Sequence, residues 1–402
     1  MKENRKFLKG MLAGAAAMLL AVGCIWGIGS IMPKVMTGQG KAQTSLSDDK
    51  KEVSQKLEKI GKWIDGYYLY GDKIDGDALV DGIYSGYAQA LGDPYTEYYN
   101  EQETKELLET TSGKFFGVGA ALTQNLTTGE VVIVSVYAES PAADAGLKEG
   151  DVLYRVDEHT IVDESLTEIV SWIKGKQGTE VDLYVRRDGE ELKLTAVRDE
   201  IEAQTVEYEM KDGQIGYIAV SEFDEVTYEQ FKGALQDLEE QGMQGLVIDL
   251  RSNPGGNMDT VTDMLKLILP EGTIVSTKDK YGNEEKITCD GEHKFTKPLA
   301  VLVNQYSASA SEIFTGAVQD YKIGTIVGTT TYGKGVVQQL IDLEDGTYLK
   351  LTIAEYYTPS GRSINGTGIT PDIEVEYEAN AENPDADNQL EKALETVRSE
   401  IE

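Results

Sequence analysis

Residues 201–375 alternate short apolar runs with amphipathic segments, and that alternation restricts the chain to few architectures. QIGYIAV, GLVIDL, GTIVSTK and PLAVLVN read as strands, the last (298–304) as a short buried one. Helices are expected over 227–241 and 258–268, and again in EIFTGAVQDY (312–321), where Ile313, Phe314, Ala317 and Val318 recur at helical spacing. Strands interleaved with helices in this way indicate an α/β core.

Between the strand at 298–304 and the helix at 312–321 runs QYSASAS, a strand-to-helix turn that puts Ser309 at a helix start. Free backbone N–H groups and the positive end of the helix dipole gather at such a turn. They suit a hydroxyl that attacks a carbonyl and leaves an oxyanion beside it. Taken alone, Ser307, Ser309 and Ser311 would equally serve to cap a helix.

The 402-residue chain has only two histidines, His159 and His293, so a Ser-His-Asp site would have to use one of them. His159 falls in a turn after a strand (VDEHTIVD) and His293 in a polar loop (CDGEHKFTK); both read as structural or solvent-facing. A serine nucleophile then needs another base, and a lysine that is neutral in the folded protein can serve. Lys334 is the candidate. It lies in TYGKG, where Gly333 and Gly335 allow a close turn, and the following VVQQLIDL alternates as a strand. Lys334, Val336 and Gln338 are therefore expected on one face, with Gln338 placed to hold the amine. A free lysine titrates near ~10.4, so a base working near neutrality needs a downward shift of roughly three units from desolvation. TYGKG taken alone is also an ordinary hairpin turn.

These stretches, with LVIDLRSNPGG (246–256), ALGDPYTEYY (90–99), SPAADAGLKEGDVLYRVD (140–157) and KLTIAEYYTPSGRSINGTGITPDIEV (350–375), resemble the carboxyl-terminal processing, or tail-specific, proteases. The motifs occur in that family's order and span nearly everything after the N-terminal segment. The resemblance implies a multidomain α/β protein with a crotonase-like peptidase core. In it Ser309 is the nucleophile, Lys334 the general base and Gln338 the group that orients the base. It assigns the oxyanion hole to the Ala310 N–H with a glycine of the RSNPGG turn, Gly255 or Gly256, of which Gly256 is preferred. The implied activity is a serine endopeptidase working through an acyl-enzyme, without cofactor or metal. Two other readings are a PDZ-bearing peptide-binding scaffold with an inactive core and a crotonase-like acyl-transforming enzyme. The presence of Ser309, Lys334 and Gln338 together argues against the first, and the S-A-S-A-S-E and G-K-G pair against the second.

Residues 113–198 change pattern to short strands separated by glycine turns, with a helix over 166–173, which reads as a compact β-rich module. Phe116-Gly117-Val118-Gly119 resembles the carboxylate-binding loop of PDZ domains. There, backbone N–H groups take a peptide's C-terminal carboxylate while the peptide adds as a strand. SPAADAGLKEGDVL resembles the helix and following strand of the same domain. Upstream, Val53, Leu57, Ile60 and Ile64 mark an amphipathic helix, and residues 78–91 a second, ended by GDP. Such terminal regions serve dimerisation in the resembling family, so a homodimer is expected.

The chain begins with a basic segment followed by an apolar run, residues 11–32, long enough to span a bilayer. Lys2, Arg5, Lys6 and Lys9 precede it, which places that end in the cytoplasm and the rest outside, as a single-pass membrane protein with an extracytoplasmic catalytic part. A cleaved signal peptide, with AVGC around Cys24, is the rival reading. Cys289 has no cysteine partner in the exported part, and metal-binding clusters are missing. Seventy acidic against 37 basic residues give a net charge of −33, which disfavours nucleic acid as a partner. The expected partners are protein or peptide substrates with accessible C-termini. The chain is thus divided into a tail, anchor and linker (1–40), a helical region (41–112), a PDZ domain (113–200), a peptidase core (201–375) and a C-terminal helical tail (376–402).

Overall fold

The computed structural model describes Ile25–Trp26, residues 46–379, Asn383 and residues 386–401. The expected membrane span at 11–32 lies outside the described residues except for Ile25–Trp26, which pair in parallel with Gln338 and Gln339. Among the described residues, no helix is long and apolar enough to cross a membrane.

Two helices, Leu46–Tyr67 and Gly76–Gln89, open the described chain. The second starts two residues before its apolar pattern does, because the Asp75 side chain accepts from the Asp77 and Ala78 N–H groups. Among the described residues, neither helix finds a full apolar partner. Trp63 stays 66% exposed and Ile83 43% exposed. A third helix, Glu101–Ser112, is closed at its N-terminus by a reciprocal Asn100–Glu103 capping box and ended by Gly113 in the left-handed region.

The β-rich module is an antiparallel sheet in the order Ala120–Gln124, Val131–Val136, Val152–Val156, Glu180–Arg187, Glu190–Val197. Period-two burial of Val181, Leu183 and Val185 builds its core, against Ile169 and Ile173 of the helix Leu166–Ile173. The module enters and leaves through one ribbon, in which Lys114–Gly117 pairs antiparallel with Asp199–Glu202.

The α/β part has a sheet in which Ile215–Val220, Gly245–Asp249, Leu299–Val303, Thr325–Gly328 and Ile373–Glu374 run parallel, with Val206–Lys211 antiparallel at one edge. Gly245–Asp249 and Leu299–Val303 are buried throughout, as expected of strands covered on both faces. Phe231, Val261, Met264, Ile313 and Phe314, from the helices Thr227–Glu240, Met258–Lys266 and Ala310–Tyr321, join one core on the sheet. A second core packs Ala393 and Val397 of the helix Asn388–Ile401 against Val247, Ala300 and Leu302. The helix Asn388–Ile401 of the expected tail is thus an integral layer of this part.

A second sheet, Val336–Asp342, Tyr348–Tyr357, Gly272–Asp279 and Glu284–Cys289, stands beside the first. The strand Glu97–Tyr99 adds to it by pairing with Tyr348, Leu349 and Lys350. The region expected to be helical over 41–112 therefore also supplies a strand to the α/β part.

Candidate active site

Ser309 lies immediately before the helix Ala310–Tyr321, with φ +56° and ψ −111°. A non-glycine residue held at positive φ outside the usual wells costs about 1–3 kcal/mol, so its surroundings must fix it. The Ser309 N–H donates to Glu312 Oε2 at 2.9 Å and the Ala308 N–H to the Asn253 carbonyl at 3.1 Å. The neighbouring serines brace the turn: Ser307 Oγ donates to the Leu250 carbonyl (2.8 Å) and Ser311 Oγ to the Asn253 carbonyl (2.9 Å). All three serines are fully buried.

Lys334 lies in the turn before the strand Val336–Asp342 and is 4% exposed. Glycine is required on both sides of it. A Cβ on Gly333 would come within 2.9 Å of the Gly368 nitrogen, and one on Gly335 within 2.7 Å of the Asn365 nitrogen. The strand has a register shift between Val337 and Gln338, and both residues are buried. The expected alternation of Lys334, Val336 and Gln338 on one face is therefore interrupted by a bulge. Gln338 Nε2 donates to Thr352 Oγ1 at 3.0 Å, while its buried Oε1 accepts no hydrogen bond among the described residues.

Two groups the sequence reading did not single out join the serine and lysine turns. The first is Glu312, fully buried. Its Oε1 accepts from Thr331 Oγ1 (2.6 Å) and the Gly333 N–H (2.7 Å), and its Oε2 accepts from the Ser309 and Lys334 N–H groups (2.9 Å each). Burial raises its carboxyl to about 6, against the opposing pull of these hydrogen bonds. The second is the buried Tyr356, whose hydroxyl reaches the Ser309 carbonyl at 3.0 Å and the Lys334 carbonyl at 2.6 Å. Glu312 had a sequence signal, since Ser309-x-x-Glu312 has the capping-box spacing. Tyr356 had none beyond lying in an apolar strand.

The glycine turn packs against this cluster. A Cβ on Gly255, at φ +110°, would lie 2.8 Å from Ser309 Cβ and 3.0 Å from the Ala310 nitrogen; one on Gly256, at φ +139°, would lie 2.4 Å from the Phe223 carbonyl oxygen. The Gly255 N–H donates to Asn253 Oδ1 at 2.8 Å. His159, exposed in the β-rich module, stacks on Trp172 at 4.6 Å, and His293 is exposed in its loop. Neither takes part in the contacts that join the serine and lysine turns.

In the Phe116–Gly119 loop, Phe116 is 39% exposed and Val118 is buried. Gly119 takes φ +78°, and a Cβ there would fall 2.5 Å from Ser140 Cβ. Among the described residues, the strand Ala120–Gln124 that follows pairs on one side only, with Val131–Val136, and its other edge has no strand partner.

Residues 115–197 match the PDZ domain and residues 214–375 match Peptidase family S41. The chain is 38% identical over 352 residues to the carboxy-terminal processing protease CtpA of Bacillus subtilis (strain 168), covering 87% of this chain and 74% of the relative. It is 32% identical over 379 residues to CtpB of the same organism, covering 92% and 78%. Among solved structures, the photosystem II D1 C-terminal processing protease aligns over 89% of this chain and 97% of its own at 27% identity, with a TM-score of 0.48. The chain accordingly belongs to peptidase family S41, among the PDZ-containing carboxy-terminal processing serine proteases.

Proposed function

We propose that the protein cleaves peptide bonds through an acyl-enzyme on Ser309, with Lys334 as general base and Gln338 as the group that orients it. The observation that carries this reading is the shared anchoring of the two turns: one buried carboxylate, Glu312, accepts from both the Ser309 and the Lys334 N–H. The neutral Lys334 amine takes the Ser309 hydroxyl proton as Oγ attacks the scissile carbonyl carbon. The resulting ammonium returns that proton to the leaving amine as the C–N bond breaks. Water then hydrolyses the ester, with Lys334 again taking and returning the proton. Because the Gly255 N–H is directed at Asn253 Oδ1, the Gly256 N–H with that of Ala310 is the pair we assign to the oxyanion. The unfilled Gln338 Oε1 is an acceptor suited to the lysine amine.

The Phe116–Gly119 loop and the open edge of Ala120–Gln124 suit a substrate C-terminus that adds as a strand, its carboxylate held by loop N–H groups. The exposed apolar faces of Leu46–Tyr67 and Gly76–Gln89 support a homodimer. The apolar run at 11–32, with its basic flank, supports a single-pass anchor with the catalytic part outside the cytoplasm.

The test is a set of variants assayed on an unstructured protein with a free C-terminus. Ser309→Ala and Lys334→Ala should be inactive but folded, and rapid acid quench of the wild type should show a substrate fragment esterified to Ser309. Replacing His159 and His293 together with glutamine should leave most of the turnover. Loss of activity in that double variant, still folded by circular dichroism, would reject the lysine base.

A further inference from the structure

The motif GDPYTEYY, which the nucleophile and base do not account for, forms a wall of the lysine site. Asp93 accepts from the Tyr95 N–H at 3.0 Å and from Thr96 Oγ1 at 2.5 Å. Thr96 Oγ1 accepts from the Thr352 N–H at 3.2 Å, and Thr352 Oγ1 accepts from Gln338 Nε2 at 3.0 Å. A continuous polar chain thus runs from Gln338 through Thr352 and Thr96 to Asp93. The same segment lays the Tyr95 ring against the base, with Lys334 Nζ 4.3 Å from the ring centroid. At that distance the ring's negative face attracts an ammonium and does little for a neutral amine.

We propose that Tyr95 and Asp93 are positioning residues of the reaction, which together stabilise the positive charge that Lys334 acquires on taking the Ser309 proton. This rests on the serine-lysine reading above. A lysine 4% exposed has lost most of its hydration, so its conjugate acid needs a substitute at the moment it forms. The ring face and the Asp93 carboxylate provide one. The groups against the base and its turn are Asp93 and Tyr95 from this segment, with Tyr332 beside Tyr95, Glu312 from the serine helix and Tyr356 from the sheet. Tyr95 stays neutral over the working range, because burial and its neighbours, Tyr332 first, push its phenol up to about 12. Asp93 stays ionised. Its burial is outweighed by the hydrogen bonds it accepts, those from Thr96 and the Tyr95 N–H among them, so its carboxyl is lowered. The pair therefore presents a fixed π face and a fixed negative charge.

The prediction is read from the pH profile of kcat/KM for an unstructured substrate, using the full chain. Stabilising the ammonium raises the pH at which the base becomes available. Removing the π face while keeping its bulk should move the acid-limb midpoint down by about half to one and a half pH units and lower the plateau. Replacement of Tyr95 by pentafluorophenylalanine does this with little change of shape, whereas Tyr95→Phe keeps the face and should keep the midpoint. Asp93→Asn should move the midpoint in the same direction as fluorination. Thermal melts of each variant establish folding, and the near-isosteric ring series remains interpretable if Asp93→Asn does not fold. A fluorinated variant whose midpoint superimposes on that of Tyr95→Phe, with Lys334→Ala inactive, overturns the proposal and leaves the base assignment standing. An active Lys334→Ala overturns the assignment on which it rests.

Discussion

Replacing Glu312 with glutamine tests whether one carboxylate holds the two halves of the site together. The carboxylate receives four donors, two on each oxygen, at 2.6–2.9 Å. An amide keeps one oxygen and makes the other a donor, so in either orientation two buried donors lose their acceptor. At about 1–3 kcal/mol each, that costs about 2–6 kcal/mol. Against it stands relief from burying a charge: the carboxyl is raised from 4.5 to about 6, which corresponds to about 2 kcal/mol at neutral pH. The net expectation at pH 7 is a destabilisation of about 0–4 kcal/mol, centred near 2. The sign of its pH dependence is fixed. A carboxyl whose folded-state pKa is raised contributes stability below its unfolded value, and loses it as pH rises through about 6. Lowering the pH from 7 to 4.5 should therefore widen the gap between the parent and Glu312→Gln by about 1.5 kcal/mol. Urea unfolding at both pH values, in a Ser309→Ala background to prevent self-digestion, reads this directly. In the active background, kcat/KM at pH 7 should fall by at least about 100-fold, because a displacement near ~1 Å of either turn misaligns the reacting groups. A stability gap that stays flat between the two pH values, or parental kcat/KM, would refute the reasoning.

Two further outcomes follow from the geometry. Gly255→Ala should destabilise the protein by about 2–6 kcal/mol and abolish turnover, since its Cβ would meet Ser309 Cβ at 2.8 Å on a backbone at φ +110°; a melting temperature within a degree of the parent would refute the close approach. Amidating the C-terminus of a test peptide should weaken its binding to Ser309→Ala protein by about tenfold or more in calorimetry, through loss of a charged acceptor at the Phe116–Gly119 loop, and equal affinity for acid and amide would reject that docking mode.

The sequence made the alternating core legible because its strands and helices differ in apolar period, and Thr227–Glu240 and Leu166–Ile173 begin where their patterns do. The serine turn was legible for the same reason, since a buried strand and an amphipathic helix leave it little room. What the sequence hid is what pairs at long range. YTEYY reads as an aromatic stretch following a helix that GDP ends, and only the partner strand Tyr348–Tyr357 makes Glu97–Tyr99 a strand. Tyr95 carries no mark of its neighbour Lys334, because the two are brought together by the sheet rather than by any local period. The bulge between Val337 and Gln338 was likewise invisible, as it depends on the register with the strand opposite. Glu312 lay in plain view as a helix-cap residue, yet its three bonds to the lysine turn depend on how residues 329–335 fold back over the helix start.

The attachment of residues 93–99 to the strand Tyr348–Tyr357 also sets an order in time. Lys350 reaches back 253 residues to Glu97, and the Thr352 N–H 256 residues to Thr96, with the whole PDZ module made in between. At roughly 5–20 residues per second, the tyrosine segment is synthesised about 13–50 s before its partner strand exists. Closing so long a loop comes late in folding, after the local module has formed. The nascent chain therefore carries a complete peptide-docking module well before it carries a complete lysine site. A protease built in this sequence is inert while it is being made, and becomes competent only once its two distant halves have met.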